Sequence, residues 1–224
     1  MLGMELPLPS FYCSLSALLS CAAVAVGFHR QVFSVHDWSR NLRIRIAARL
    51  LCQGGVIAYP TEAVWGLGCD PLNRLAFQEI LDLKQRPLAK GVILIASDIE
   101  QIRPYVGNMD DQCWQRIEKP GSRPTTWVVP AGPLAPSWIT GNRQSLAVRI
   151  TRHGVAAGLC RAFGGALVST SANPGGLPPA RNALKVRCYF GDRLAAIAPG
   201  NVGAANRPSE IRDIQTGQIL RPGG

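Results

Sequence analysis

Lys84, Arg86 and Lys90 place three cations within seven residues, bracketing Pro87. Arginine offers a rigid two-pronged fork for phosphate or carboxylate, while lysine is a compact point charge. Pro87 stops the preceding helix and fixes the direction in which the basic segment leaves it. A second cluster, Ser169-Thr170-Ser171-Ala172-Asn173, follows the apolar run Ala166-Leu167-Val168 directly. Three hydroxyls and an amide at a strand end are good partners for phosphate or ribose. Thr61 also falls at a strand end, where the ligand sites of open sheets form, and Arg149 closes the strand Leu146-Ala147-Val148. Each feature has a plainer reading when taken alone. The cations suit the negative dipole at a helix C-terminus, the Ser/Thr/Asn cluster makes an ordinary turn, Thr61 turns or caps, and a single arginine is commonly structural. Acting together, they bind an anionic ligand through cations and hydroxyls.

Other chemistries lack their signatures. There is no GxxxxGK[ST] loop, no HExxH and no GxSxG, and Gly66-Leu67-Gly68 lacks the third glycine of a dinucleotide fingerprint. The seven cysteines include no CxxC pair and only three histidines could assist them, so neither a zinc site nor a disulfide framework is indicated. Irregularly spaced, odd-numbered cysteines fit reduced thiols in the cytosol. The formal net charge is +10, and from Arg143 onward eleven Lys/Arg face three acids, a net of +8. That asymmetry suits a polyanionic partner, nucleotide phosphates or RNA, and taken alone it suits a solubilising surface equally well.

The elements that must position these groups read as alternating helices and strands. Residues 38–52 carry Ile44, Ala47, Ala48 and Leu51 on one helical face, ended by Gly54-Gly55. Residues 56–59 form a short buried strand halted by Pro60. Asp70-Pro71 opens a helix carried by Leu72, Leu75, Ala76, Ile80 and Leu83, which runs into the Lys84 segment. Strands are expected over 92–96, 125–129, 145–150 and 166–170, with short ones near Ala195 and Ile211. Helices are expected over 109–118, 155–163 and 183–189, and another from the capping box Ser97-Asp98-Ile99-Glu100. Some strands follow one another without a helix between them. The expected fold is therefore α/β (α+β), one domain with a twisted mixed sheet covered by helices.

Residues 11–28 run uncharged for eighteen residues, which touches the length of a membrane span. The ten residues before them carry only Glu5, so the basic start of a secretory signal is missing. Residues 1–35 are read as a poorly ordered extension or as sequence upstream of the true start, and residues 36–224 as the catalytic domain of a cytoplasmic protein.

Five blocks carry a resemblance: YPTEAVWGLGCDP (59–71), KQRPLAKGVILIAS (84–97), SLAVRIT (145–151), LVSTSANPGGLPPAR (167–181) and PSEIRD (208–213). In this order they closely resemble the TsaC/YrdC family, the short bacterial threonylcarbamoyl-AMP synthases, over about residues 38–221. The family's Lys-x-Arg and distant Ser-x-Asn stand here as Lys84-Gln85-Arg86 and Ser171-Ala172-Asn173. The resemblance implies a YrdC-like fold with a basic concave cleft. It also implies the condensation of L-threonine, bicarbonate or CO2, and ATP into threonylcarbamoyl-AMP and pyrophosphate. It further implies Mg²⁺ arriving with ATP rather than on protein side chains, and transfer proteins (TsaD, TsaB, TsaE) that pass the group to adenosine 37 of tRNAs reading ANN codons. On this basis Lys84 and Arg86 are the catalytic candidates; Lys84, Arg86, Lys90, Ser169, Ser171 and Asn173 would bind ATP; Thr61 and Arg149 would orient threonine. Two departures stand out. The turn over 120–126 is two residues longer than the family's Pro-Gly-Pro-x-Thr, and residues 1–35 have no counterpart in the short members. The alternative from another class is a non-catalytic module binding double-stranded RNA or tRNA through the same basic cleft.

Overall fold

The computed structural model describes residues 37–119, 123–205 and 208–223. The extension expected over 1–35 and residues 120–122 of the family-variant turn lie outside the described residues. In chain order the elements are α1 (Leu42–Cys52), β1 (Ile57–Pro60), β2 (Trp65–Gly68), α2 (Arg74–Lys84), β3 (Ile93–Ala96) and α3 (Asp111–Glu118). There follow β4 (Thr125–Pro130), α4 (Ser137–Thr140), β5 (Ser145–Ile150), α5 (Gly154–Phe163), β6 (Leu167–Ser171) and α6 (Ala183–Phe190). The chain closes with β7 (Ala196–Ile197), β8 (Glu210–Asp213) and β9 (Ile219–Arg221).

The strands join one sheet in the order β7-β1-β2-β6-β3-β5-β4-β8-β9. Pairs β1–β7, β3–β5 and β4–β8 are parallel and the other five antiparallel, which is the mixed sheet expected. Side chains alternate between the faces. Ala58, Leu67, Leu94, Val148 and Val168 enter one core beneath α2, α3 and α6. Ile57, Tyr59, Ile95 and Leu167 enter a second beneath α1 and α5. The predicted face of α1 (Ile44, Ala47, Ala48, Leu51) is buried as a unit.

Three local expectations are corrected. The helix read from Asp70-Pro71 begins at Arg74, because Asn73 supplies the cap by accepting from the Ala76 N–H at 3.0 Å. Asp70 turns the chain before it, accepting from the Leu72 N–H at 2.8 Å. Leu72 and Leu75 consequently point outward at 56% and 82% exposure, leaving Ala76, Phe77, Ile80 and Leu83 to the core. The capping box at 97–100 opens turns and a 3-10 segment at Arg103–Tyr105 instead of an α-helix. Gln101 reaches back to the Ser97 N–H at 2.9 Å, Glu100 pairs with Arg103, and Pro104 carries no N–H to continue a ladder. Residues 65–68, absent from the expected strands, are strand β2. Paired with β1, they form a hairpin.

Candidate active site

The cavity lies on the sheet face that α1 and α5 cover only in part. Strand register builds its floor. Gly66 pairs with Ser171, while Ser169, Ile93, Ala147 and Val128 are successive cross-strand neighbours. In the next row Leu167 and Ile95 vanish under α5, whereas Arg149, the β5 partner of Ile95, lines the open space. The period of two thus sends serines and an arginine to the face whose other end holds apolar residues. The resulting space is about 460 Å³, within the range of small-molecule clefts.

Six of the eight predicted residues line it: Thr61, Arg86, Lys90, Arg149, Ser169 and Ser171. Thr61 opens the β1–β2 turn, its hydroxyl donating to the Val64 carbonyl at 2.7 Å. Arg86 leaves the end of α2 after Gln85, which sits in the left-handed region at φ 49° and turns the chain. Its guanidinium donates to the Gly91 carbonyl at 3.0 Å, and its buried Nε has no hydrogen-bond partner among the described residues. Arg149 lies 3.6 Å from Glu62 and 3.3 Å from the Ser209 hydroxyl, which shares a 2.8 Å hydrogen bond with Thr126.

Lys84 and Asn173 stand behind the wall rather than on it. Lys84 is 4% exposed. Its ammonium donates to the Ser171 carbonyl, to the Asn173 carbonyl at 2.8 Å and to Asn173 Oδ1 at 3.3 Å. The Asn173 amide spans its own loop, accepting from the Ser171 hydroxyl at 2.6 Å and donating to the Leu177 carbonyl at 2.6 Å. Burial, reinforced by the Arg86 charge, pulls the Lys84 ammonium down to about 8. The Lys-x-Arg and Ser-x-Asn motifs therefore meet in space, with Lys84 and Asn173 shaping the wall from which Ser171 faces the cavity.

Glu62, Arg143, Ser209 and Arg221 were not nominated from sequence, yet all line the cavity. Glu62 and Ser209 lie inside quoted motif blocks, so adjacency to Thr61 and to the PSEIRD run was an available signal. Arg143 and Arg221 had no local signal. Arg143 donates to the Ala89 carbonyl at 2.8 Å, and Arg221 to the Ser209 carbonyl at 3.1 Å. Among the described lining residues, Arg86, Lys90, Arg143, Arg149 and Arg221 thus face a single carboxylate, Glu62. Burial pushes that carboxyl up, but Arg149 and the donors Thr151 and Arg152 N–H outweigh it and hold it below the ordinary range. Such a site can gather polyanions and orient a carboxylate; it presents no paired nucleophile and base.

The Sua5_yciO_yrdC family model, described as telomere recombination, matches residues 49–223. A threonylcarbamoyl-AMP synthase of Cellvibrio japonicus is 57% identical over 186 residues, covering 83% of this chain and 98% of its own length. One from Pseudomonas aeruginosa is 47% identical over 182 residues, with 81% and 98% covered. Among solved structures, P. abyssi Sua5 complexed with L-threonine is 30% identical, with a TM-score of 0.75 over 81% of this chain. The match takes in 54% of that longer chain, so this chain spans about half of it. E. coli YciO, at 23% identity and a TM-score of 0.66, shares the fold. Motif blocks, sheet and cleft therefore agree with the sequence relationship, and the chain belongs to the Sua5/YciO/YrdC family.

Proposed function

We propose that this protein is a threonylcarbamoyl-AMP synthase, making threonylcarbamoyl-AMP and pyrophosphate from L-threonine, bicarbonate or CO2, and ATP. The observation that carries this reading is the match at 57% identity to a threonylcarbamoyl-AMP synthase over 98% of its length, with six of the predicted residues lining one cavity. The threonine amine takes up CO2 to give a carbamate, whose oxygen forms a bond to the α-phosphorus of ATP. The bond from that phosphorus to the bridging oxygen breaks, and pyrophosphate leaves with the electron pair. Negative groups must approach one another, so the protein contributes positioning and preorganised positive charge more than a nucleophile of its own.

Arg86, Lys90 and Arg143 hold the triphosphate in this reading, and Ser169 and Ser171 fix the α-phosphate and ribose region. Lys84 and Asn173 support that wall. Arg149 takes the threonine carboxylate, with Thr61 beside it. Mg²⁺ bound to the incoming ATP would supply neutralisation of the developing phosphate charge. Glu62, the lone carboxylate among the described lining residues, is already engaged by Arg149, Thr151 and Arg152, so phosphate oxygens are the donors that suit the ion. The catalytic unit is residues 36–224, working in the cytoplasm. Its labile product passes to TsaD, TsaB and TsaE for modification of adenosine 37 in tRNAs reading ANN codons. Among the described residues no helix is long and apolar enough to cross a membrane, and the uncharged stretch 11–28 lies outside them.

The decisive experiment gives the purified protein ATP, Mg²⁺, L-threonine and bicarbonate. Pyrophosphate release and a threonylcarbamoyl-adenylate by mass spectrometry are expected, and omission of threonine or bicarbonate abolishes the product. ATP binding without that dependence, even with the transfer proteins and tRNA present, would sink the reading.

A further inference from the structure

The cavity's cations fall into two hydrogen-bonded groups. At one end Arg86 holds the Gly91 carbonyl and Arg143 the Ala89 carbonyl, so the two guanidinium groups clamp the short segment that carries Lys90. No carboxylate among the described lining residues accompanies these three charges. At the other end Arg149 and Arg221 meet at Ser209, one through its hydroxyl and one through its carbonyl. Glu62 belongs to this second group alone.

The Glu62 carboxylate is fixed from several directions. Its Oε1 accepts from the Thr151 hydroxyl at 2.7 Å and from the Arg152 N–H at 3.2 Å. Its Oε2 is buried 3.6 Å from Arg149 Nη2, with no hydrogen-bond partner among the described residues. The backbone is tied as well: the Thr61 and Glu62 carbonyls accept from Gly203 N–H at 2.9 Å and Ala205 N–H at 3.0 Å. A side chain added at Gly203 would fall 2.9 Å from the Glu62 carbonyl oxygen, so that approach depends on glycine. The carboxylate cannot swing away from Arg149 without breaking this set.

Charge explains why an otherwise cationic cavity keeps one locked carboxylate. ATP and pyrophosphate are polyanions, whereas threonine at neutral pH is a zwitterion. A cleft positive along its whole length would bind polyphosphate at either end, and pyrophosphate would then contest the amino-acid site. Resting on the synthase reading, we infer that Glu62 is a positioning and specificity-determining residue. It holds Arg149 for the amino-acid carboxylate, and by cancelling one of the two positive charges at that end it confines polyphosphate to the Arg86–Lys90 end. Like charge near the site works against the wrong ligand, as unfavourable pairs do elsewhere in recognition.

Glu62→Gln tests this, because the amide oxygen still accepts from Thr151 and Arg152 while the charge is gone. In the wild type, pyrophosphate should inhibit competitively against ATP and non-competitively against threonine. In E62Q the KM for threonine should rise about tenfold or more, the KM for ATP should move less than about twofold, and pyrophosphate should become competitive against threonine. A role limited to folding would raise both KM values and lower the thermal midpoint without changing the inhibition pattern; that result overturns the inference. So does an unchanged threonine KM. Calorimetry on the wild type is an independent arm should E62Q fail to fold. Threonine should bind with undiminished affinity to protein saturated with pyrophosphate, and displacement of threonine by pyrophosphate would overturn the inference. A wild type that binds threonine in this way yet makes no adenylate refutes the synthase reading instead, so the two failures are distinct.

Discussion

Lys84 holds a charge at the junction of two chain segments, and its surroundings decide what its removal does. A cation exposed at a helix end could be deleted with little effect on stability. Lys84 instead donates to two main-chain carbonyls and a side-chain oxygen of Ser171 and Asn173. Lys84→Met keeps much of the stem but orphans these acceptors, at about 1–3 kcal/mol for a buried one left unpaired. Scanning calorimetry should show a lower thermal midpoint; an unchanged midpoint would make Lys84 a free phosphate ligand. Its proton adds a pH signature. Because burial and Arg86 bring the ammonium down to about 8, kcat/KM should fall as pH rises through about 8, where the donor charge is lost. Stability moves the other way. The unfolded lysine stays protonated up to 10.5, so between about 8 and 10.5 the unfolded chain binds more protons and the unfolding free energy rises with pH. Profiles of rate and stability from neutral to alkaline pH check both signs, and an alkaline limb surviving in K84M would assign it to another group.

At the scale of elements, β2 shows how glycines can hide a strand. Gly66 and Gly68 make Trp-Gly-Leu-Gly look like a loop, yet the two glycines permit a close approach on the cavity face. A Cβ on Gly68 would lie 2.5 Å from the Val168 carbonyl and 2.7 Å from the Tyr59 ring, whose hydroxyl donates to that same carbonyl. Gly68→Ala is therefore expected to destabilise by about 1–3 kcal/mol through overpacking. It should also weaken nucleotide binding, because Ser169 follows Val168 along β6. A variant with wild-type thermal midpoint and ATP KM would contradict this. Where apolar residues repeat at an unambiguous period, the sequence was legible: α1 buries its predicted face and β5 runs over the predicted residues. The Lys84/Arg86 and Ser169/Ser171 clusters stood out because they fall in two of the motif blocks that carry the family resemblance; taken singly, each had a plainer reading. The 97–100 turn was not, since a capping box describes a start and says nothing of Pro104 ahead. Four-residue α4 and three-residue β9 are too short for any period to show. Arg143 and Arg221 escaped for a different reason: only long-range strand order brings them to the cavity.

At the scale of the whole molecule, the question is where the catalytic unit begins. The described fold is anchored at its start by Trp38, in a 3-10 turn capped by Asp37. A side chain on Gly154 would meet the Trp38 ring at 2.9 Å, and one on Gly158 would meet Trp38 Cβ at 2.5 Å. Two glycines one turn apart on α5 therefore make a seat for this tryptophan, and Asp37 adds an ion pair to Arg161 at 3.4 Å. Asn41 then caps α1 by accepting from the Arg43 N–H at 3.0 Å. Because α1 and α5 form the helical cover beside the cavity, this seat also steadies the wall next to Arg149. We propose that the catalytic unit needs residues from His36 onward and nothing earlier. A chain starting at His36 should keep the thermal midpoint and kcat/KM of the full chain. One starting at Leu42 loses the Trp38 seat and the Asn41 cap, together about 2–4 kcal/mol for a half-buried aromatic and one cap. That corresponds to a midpoint roughly 4–16 °C lower for a domain of this size. If the chain from His36 is already destabilised or inactive, residues 1–35 belong to the catalytic unit and the boundary at His36 is wrong.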